Sequence, residues 1–139
     1  MRIKVLNIAQ PNAHNVIYSG KNVENRSQAT KIRGLIAIYA SKTVQKWRFE
    51  GSLVNQEECD FGSIIGFVEV VDCITDKDVG PKTKKWFIGE YGWILANPIA
   101  LKIPIKITPP RGAIIWWDLK DLELDKFLAE LPEWLQKRL

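Results

Sequence analysis

Two cations and a carboxylate, Lys21, Glu24 and Arg26, fall within the short run Ser19-Gly20-Lys21-Asn22-Val23-Glu24-Asn25-Arg26. If Val23 to Arg26 is extended, Glu24 and Arg26 share one face, because side chains alternate along a strand. Lys21, at the exit of a preceding helix, could fold back towards them. Arginine offers a planar fork of donors, lysine a point charge and glutamate an acceptor. Such a trio can hold an anion or read the polar edge of a ring. It can equally be a structural salt-bridge cluster at a helix–strand junction, and spacing alone does not decide.

Glu69 lies between Phe67 and Val71 on an otherwise apolar strand face. A buried carboxylate needs a partner, or its pKa rises. It could serve as a pocket acceptor or a general base, or it could pair with a lysine or arginine or mark a solvated strand edge. Trp47, Trp86, Trp93, Trp116 and Trp117 are numerous for the length. Unpaired bases stack on such rings, although core packing is the commoner fate of tryptophan; Trp93 is the stacking candidate. Lys42, Lys46 and Arg48, then Lys82, Lys84 and Lys85, and Arg111 in a Pro-Pro-Arg-Gly loop could follow a phosphate backbone. They could also be ordinary solvated charge.

Cys59, Cys73 and the single histidine, His14, supply no set of ligands at zinc spacing. No structural metal and no cofactor is expected, and His14 reads as a surface or junction residue. The chain of 139 residues fits one domain. Its 46% hydrophobic and 26% charged residues are ordinary for a globular protein and long enough in total to bury a core without staples. The net charge of +4 is a mild bias towards anionic partners. No apolar run reaches the ~18 residues of a membrane span, and Met1 to Gln10 alternates rather than forming a signal peptide. A cytoplasmic protein with free thiols and no membrane partner is expected.

These groups must be positioned by short elements. Ile3–Ile8 alternates as a strand. Pro11 suits a helical first turn and Gly20 closes the helix, placing it over Asn12–Ser19. Gly34–Ser41 is apolar on both faces and reads as a central strand, with a short basic helix following over Lys42–Phe49. Ser63–Thr75 is the longest strand, with Gly66 marking a bulge or a close backbone approach. Asp76–Lys85 reads as a loop, then Trp86–Leu95, Ala100–Ile107 and Ala113–Leu119 as strands punctuated by Pro98, Pro104, Pro109 and Pro110. The fold class is α+β: a small, partly closed mixed barrel over residues 1–119 with short flanking helices. Residues 120–139 form a helical extension of the same domain. Its stripe of Leu124, Phe127, Leu128, Leu131 and Leu135, broken at Pro132, packs on the barrel or serves as a protein contact.

The run from Ser19 resembles the signature of the ASCH domain, Gly-x-Lys-x-x-Glu-x-Arg, at Lys21, Glu24 and Arg26. Ser19 occupies the usual glycine place, and Gly20 follows one position later. Gln10-Pro11 is similar to the family's opening, although Asn12 stands where an aromatic is common. Tyr39-Ala40-Ser41-Lys42 after Arg33-Gly34, the run Gly62 to Cys73, and Tyr91-Gly92-Trp93-Ile94-Leu95 before Asn97-Pro98 resemble its later strands. The resemblance spans residues 1–119. It implies a PUA-like barrel, RNA-related roles and a pocket lined by Gln10, Lys21, Glu24 and Arg26. Ser41, Lys42, Glu69 and Trp93 complete the candidate ligand set.

The leading functional expectation is a binding module for RNA or another single-stranded nucleic acid, or for a modified nucleobase. Glu24 and Arg26 would read polar edges, and Lys21 would meet a phosphate or carbonyl. A small hydrolase on the same pocket is the alternative. Relatives that deacylate N4-acetylcytidine place lysine and threonine three apart with a later carboxylate. Lys21 is present and Glu69 could supply the carboxylate, but Glu24 stands at the threonine position and is a poor substitute for a hydroxyl nucleophile. A metal-independent ribonuclease using Lys21, Glu24 and Glu69 is a further form of that alternative.

Overall fold

The computed structural model describes residues 3–119, 129, 131 and 133–137. The main elements are β1 (Lys4–Ile8), α1 (Asn12–Tyr18), β2 (Val23–Arg26), β3 (Gly34–Ala40), β4 (Ser63–Ile74), β5 (Tyr91–Lys106) and β6 (Trp116–Asp118). The strands form one mixed sheet in the order β2-β5-β4-β3-β1-β6. β1 and β3 run parallel, with Asn7 opposite Tyr39 and Ile8 opposite Ala40. A parallel pair needs a long crossover, and the chain through α1 and β2 supplies it. The other neighbours are antiparallel.

Both faces of the sheet carry core. Val5, Ala37, Tyr39, Phe67 and Trp117 pack on one side; Leu6, Ile8, Ile36, Ile38, Val68 and Trp93 pack on the other, beneath Ala13, Val16 and Ile17 of α1. This two-sided burial is why β3 reads as a continuous apolar run. Along β4 the alternation slips. Ile64 and Phe67 belong to the first core, whereas Ile65 and Val68 belong to the second. One extra residue is accommodated at Gly66, where the β4–β5 register shifts. A Cβ there would lie 2.3 Å from the Ile99 carbonyl and 2.9 Å from Cδ1 of Ile17, so only glycine fits. The close approach expected at Gly66 is therefore present.

The sheet curls into a half-barrel. Trp93 of β5 and Trp116 of β6, far apart in the strand order, stack with centroids 5.5 Å apart and 14° between planes. The helix expected over Asn12–Ser19 is α1, and Gly20 follows it at φ 74°, with the Lys21 amide donating to the Asn15 carbonyl at 3.0 Å.

Other expectations need correction. The strands anticipated at Trp86–Leu95 and Ala100–Ile107 are one strand beginning at Tyr91. Asn97, at φ 54°, and shifts in register with β4 carry the chain past Pro98 without breaking it. The helix over Lys42–Phe49 is reduced to a 3-10 turn at Lys46–Phe49. The last strand keeps only Trp116–Asp118 of Ala113–Leu119, because the carbonyls of Ala113 and Ile114 bond the Asn7 side chain instead of a ladder. Of the C-terminal extension, Leu131 is buried in the first core and a helical turn spans Glu133–Gln136. Leu124, Phe127, Leu128, Pro132 and the side chain of Leu135 lie outside the described residues. No helix among the described residues is long and apolar enough to cross a membrane.

Candidate functional site

β1 and β3 run parallel, so both deliver their carboxyl ends to one rim of the half-barrel. There β2 curls alongside, and a cavity of about 520 Å³ opens between them. It is lined by Asn7, Glu24, Asn25, Arg26, Ser41, Thr43, Gln45 and Arg48, among others. That volume lies within the roughly 300–1,000 Å³ usual for small-molecule sites.

β2 is extended, paired through Glu24 with Trp93 and through Arg26 with Tyr91, so Glu24 and Arg26 do share a face. An Arg26 guanidinium nitrogen donates to the Asn7 carbonyl at 2.8 Å and to Oε2 of Glu24 at 3.2 Å. The guanidinium carbon sits 5.6 Å from the centre of the Trp93 ring. Its Nε is buried without a hydrogen-bond partner. Glu24 is only 5% exposed. Burial raises its pKa above the ordinary value, and the charges of Arg26 and Lys21 offset this only in part. The cluster is thus an ion pair and a cavity wall at once.

Lys21 is buried, but it does not line the cavity. Its ammonium lies 5.1 Å from the Trp86 ring centre. Burial lowers its pKa, and Glu24 opposes that shift. Gln10 is likewise withdrawn. Its Nε2 donates to the Asp60 carbonyl at 2.8 Å and its Oε1 accepts from the His14 amide at 2.8 Å, so both ends tie α1 to the loop before β4. Glu69 sits half-buried between Leu35 and Ala96 in the sheet and lines neither this cavity nor its neighbour. Trp93 cannot present a face to a base: it is 2% exposed, stacked on Trp116, and its indole N–H donates to the Gln28 carbonyl at 2.9 Å.

Arg48 does line the cavity. Its Nε donates to Oε1 of Gln45, and its guanidinium lies 4.5 Å from the centre of the Trp47 ring, which is 62% exposed. Lys46 is exposed on the same turn. Lys82, Lys84 and Lys85 are exposed on a separate turn, which Asn22 and Asn25 pin by donating to the carbonyls of Lys82 (2.8 Å) and Trp86 (2.9 Å). Arg111 is exposed in its loop and lines neither cavity.

A second cavity, of about 720 Å³, adjoins the first and shares Asn7, Ser41 and Ile114 with it; Tyr39, Lys42, Lys106 and Thr108 also line it. Sequence reasoning missed Asn7, the hub of the rim. Its Oδ1 accepts from the Trp117 indole at 2.8 Å, and its Nδ2 donates to the Ala113 and Ile114 carbonyls. An amide set between the buried Leu6 and Ile8 of β1 was the available signal. Cys59 and Cys73 are free thiols, and burial pushes that of Cys59 up to about 11. Among the described residues no group of three or more His, Cys, Asp or Glu side chains is placed to hold a metal.

The first cavity therefore offers a donor fork, a carboxyl that favours its neutral form more than an exposed one would, amides and hydroxyls. It suits a flat polar ring edge better than a bare anion.

No curated protein matches the sequence significantly. Among solved structures, the ASCH protein of Zymomonas mobilis superposes with a TM-score of 0.54 at 16% identity, covering 91% of this chain and 93% of that one. A tyrosine-to-phenylalanine variant of the Zymomonas mobilis protein gives 0.55 at 16% identity, covering 91% and 96%. At that identity the likeness establishes the shared fold. The sequence model described as the ASCH domain matches residues 6–105, from β1 almost to the end of β5, and the chain belongs to the ASCH domain family.

Proposed function

We propose that this protein binds single-stranded nucleic acid, RNA in the first place, by taking the polar edge of an unpaired or modified base into the cavity beside Glu24 and Arg26. The observation that carries this reading is the Glu24–Arg26 pair itself: a carboxyl and a guanidinium fork, held rigidly by Asn7 and Trp93, on the wall of a cavity large enough for a base. Unpaired bases are read by hydrogen bonds to their edges and by stacking. Arg48 beside Trp47 supplies a cation and an exposed ring at the mouth, and Lys46 would follow the backbone there. Lys82, Lys84, Lys85 and Arg111 would add longer-range attraction. The resemblance to PUA-like barrels, which commonly bind RNA, points the same way, and a cytoplasmic setting suits the free thiols.

The hydrolase reading has less support. Of Lys21, Glu24 and Glu69, only Glu24 lines the cavity, and no hydroxyl nucleophile stands at its position.

Fluorescence anisotropy with labelled single-stranded RNA, duplex RNA and single-stranded DNA, at two salt concentrations, tests the proposal. An Arg48→Ala/Glu24→Gln variant runs alongside, with N4-acetylcytidine followed for turnover. Salt-sensitive preference for single strands, lost in the variant, is expected. Binding untouched by the variant would move the site to the outer lysines, and turnover of the nucleoside would replace the binding reading with the hydrolase.

A further inference from the structure

We infer that the second cavity is a phosphate subsite, so that the ligand is a nucleotide or a stretch of strand rather than a free base. The inference rests on the first cavity accepting a base. The two cavities lie side by side along the segment after β3: Ser41 lines both, Lys42 turns into the second, and Thr43, Gln45 and Arg48 turn into the first. Asn7 and Ile114 form the opposite shared wall. A group bound in one is therefore covalently reachable from the other.

Their chemistry differs. The first contains a carboxylate as well as cations. The second is lined by Lys42 and Lys106 and by the hydroxyl-bearing Tyr39, Ser41 and Thr108, and includes no Asp or Glu. The sheet brings the two lysines together. Ala40 pairs with Ser63 and Ser63 pairs with Lys106, so Lys106 sits at the end of the sheet where the chain leaves β3 towards Lys42. Neither lysine forms an ion pair among the described residues. Burial raises the Tyr39 pKa, which keeps its hydroxyl a donor. Two ammonium groups and several hydroxyls, with no competing carboxylate, fit a phosphate group. A base in the first cavity would place its own or its neighbour's phosphate in the second.

The test is calorimetric titration with the four ribonucleosides, their 5′- and 3′-monophosphates, and inorganic phosphate, using the whole chain and a Lys42→Ala/Lys106→Ala variant. Both lysines are exposed, so the variant should fold. At least one monophosphate should bind about tenfold tighter than its nucleoside and than inorganic phosphate. The variant should erase that advantage and leave nucleoside affinity unchanged. Equal binding of nucleoside and monophosphate would overturn the subsite while leaving the base pocket standing. So would an advantage that survives in the variant. Inorganic phosphate binding as tightly as the monophosphate would make this a free-anion site and overturn the link to the base. If nucleosides and monophosphates both fail to bind, the base pocket itself is wrong and the subsite falls with it.

Discussion

Arg26 donates to the backbone carbonyl of Asn7 at 2.8 Å, although their strands share no ladder. β2 is one edge of the sheet and β1 lies beside the other, so this bond helps bring the ends of the half-barrel together. The same guanidinium pairs with Glu24 and lies against Trp93. The site and the closure of the sheet are therefore one construction.

Arg26→Ala should destabilise the fold by about 3 kcal/mol, the low end for removing one partner of a buried ion pair. It leaves the Glu24 carboxyl buried without its charge partner and the Asn7 carbonyl short of a donor. Arg26→Lys should recover little, since an ammonium cannot reproduce the fork. Adding Glu24→Gln to Arg26→Ala should recover part of the loss. Urea unfolding of the full cycle measures this, and strictly additive single effects would show that the two residues do not act as a unit.

Glu24 also sets a pH dependence. Its folded pKa lies above the ordinary 4.5 because burial disfavours the charge. Below pH 4.5 the carboxyl is protonated in both states. Between 4.5 and the raised value the unfolded chain has lost a proton that the folded chain keeps, so stability falls as pH rises through that window. Lys21 acts oppositely at alkaline pH: its lowered value means stability rises between that value and 10.5. The stability of the wild type minus that of Glu24→Gln should therefore decline from pH 4.5 upwards. A difference that grew with pH would mean that the ion pair outweighs the burial.

What could be read from the sequence was what repeats locally. The period of two in β2 put Glu24 and Arg26 on one face, the double-sided apolar run marked β3, and Gly20 marked the end of α1. What could not be read depends on which distant strands meet. Trp93 looked available for stacking, but curling of the sheet brings Trp116 against it. Gln10 looked like a pocket group, but the loop at Asp60 consumes it. Glu69 looked like a pocket carboxylate, but it pairs with Leu35 far along β4, whereas the rim lies at the other end, where Ser63 pairs with Ala40. Asn7 became important only once β1, β2 and β6 converged on it.

Gly66→Ala should cost about 3 kcal/mol, the upper end for inserting a methyl group into a packed interior. The new Cβ would meet a backbone carbonyl, which cannot rotate away, as well as Ile17. Gly80→Ala is the control, since a Cβ there has nothing within 4 Å. Thermal unfolding of the pair should show a clear drop for the first and almost none for the second. Equal melting temperatures would mean that β5 is not held against β4 at Ile99.

Trp47 and Trp93 should separate binding from stability. Trp47 is 62% exposed and lies against Arg48, which lines the cavity, whereas Trp93 is 2% exposed in the core. Base–aromatic stacking contributes about 1–3 kcal/mol per base, so Trp47→Ala should weaken binding of single-stranded RNA about tenfold. It should leave the unfolding midpoint unchanged, and Trp47→Phe should keep most of the affinity. Trp93→Ala should instead cost about 3–5 kcal/mol of stability, as truncation of a buried tryptophan does. Its ring supports Arg26, so the site would loosen with the fold. If Trp47→Ala bound RNA as the wild type does, the base would have to be held by the cavity walls alone, without a ring at the rim.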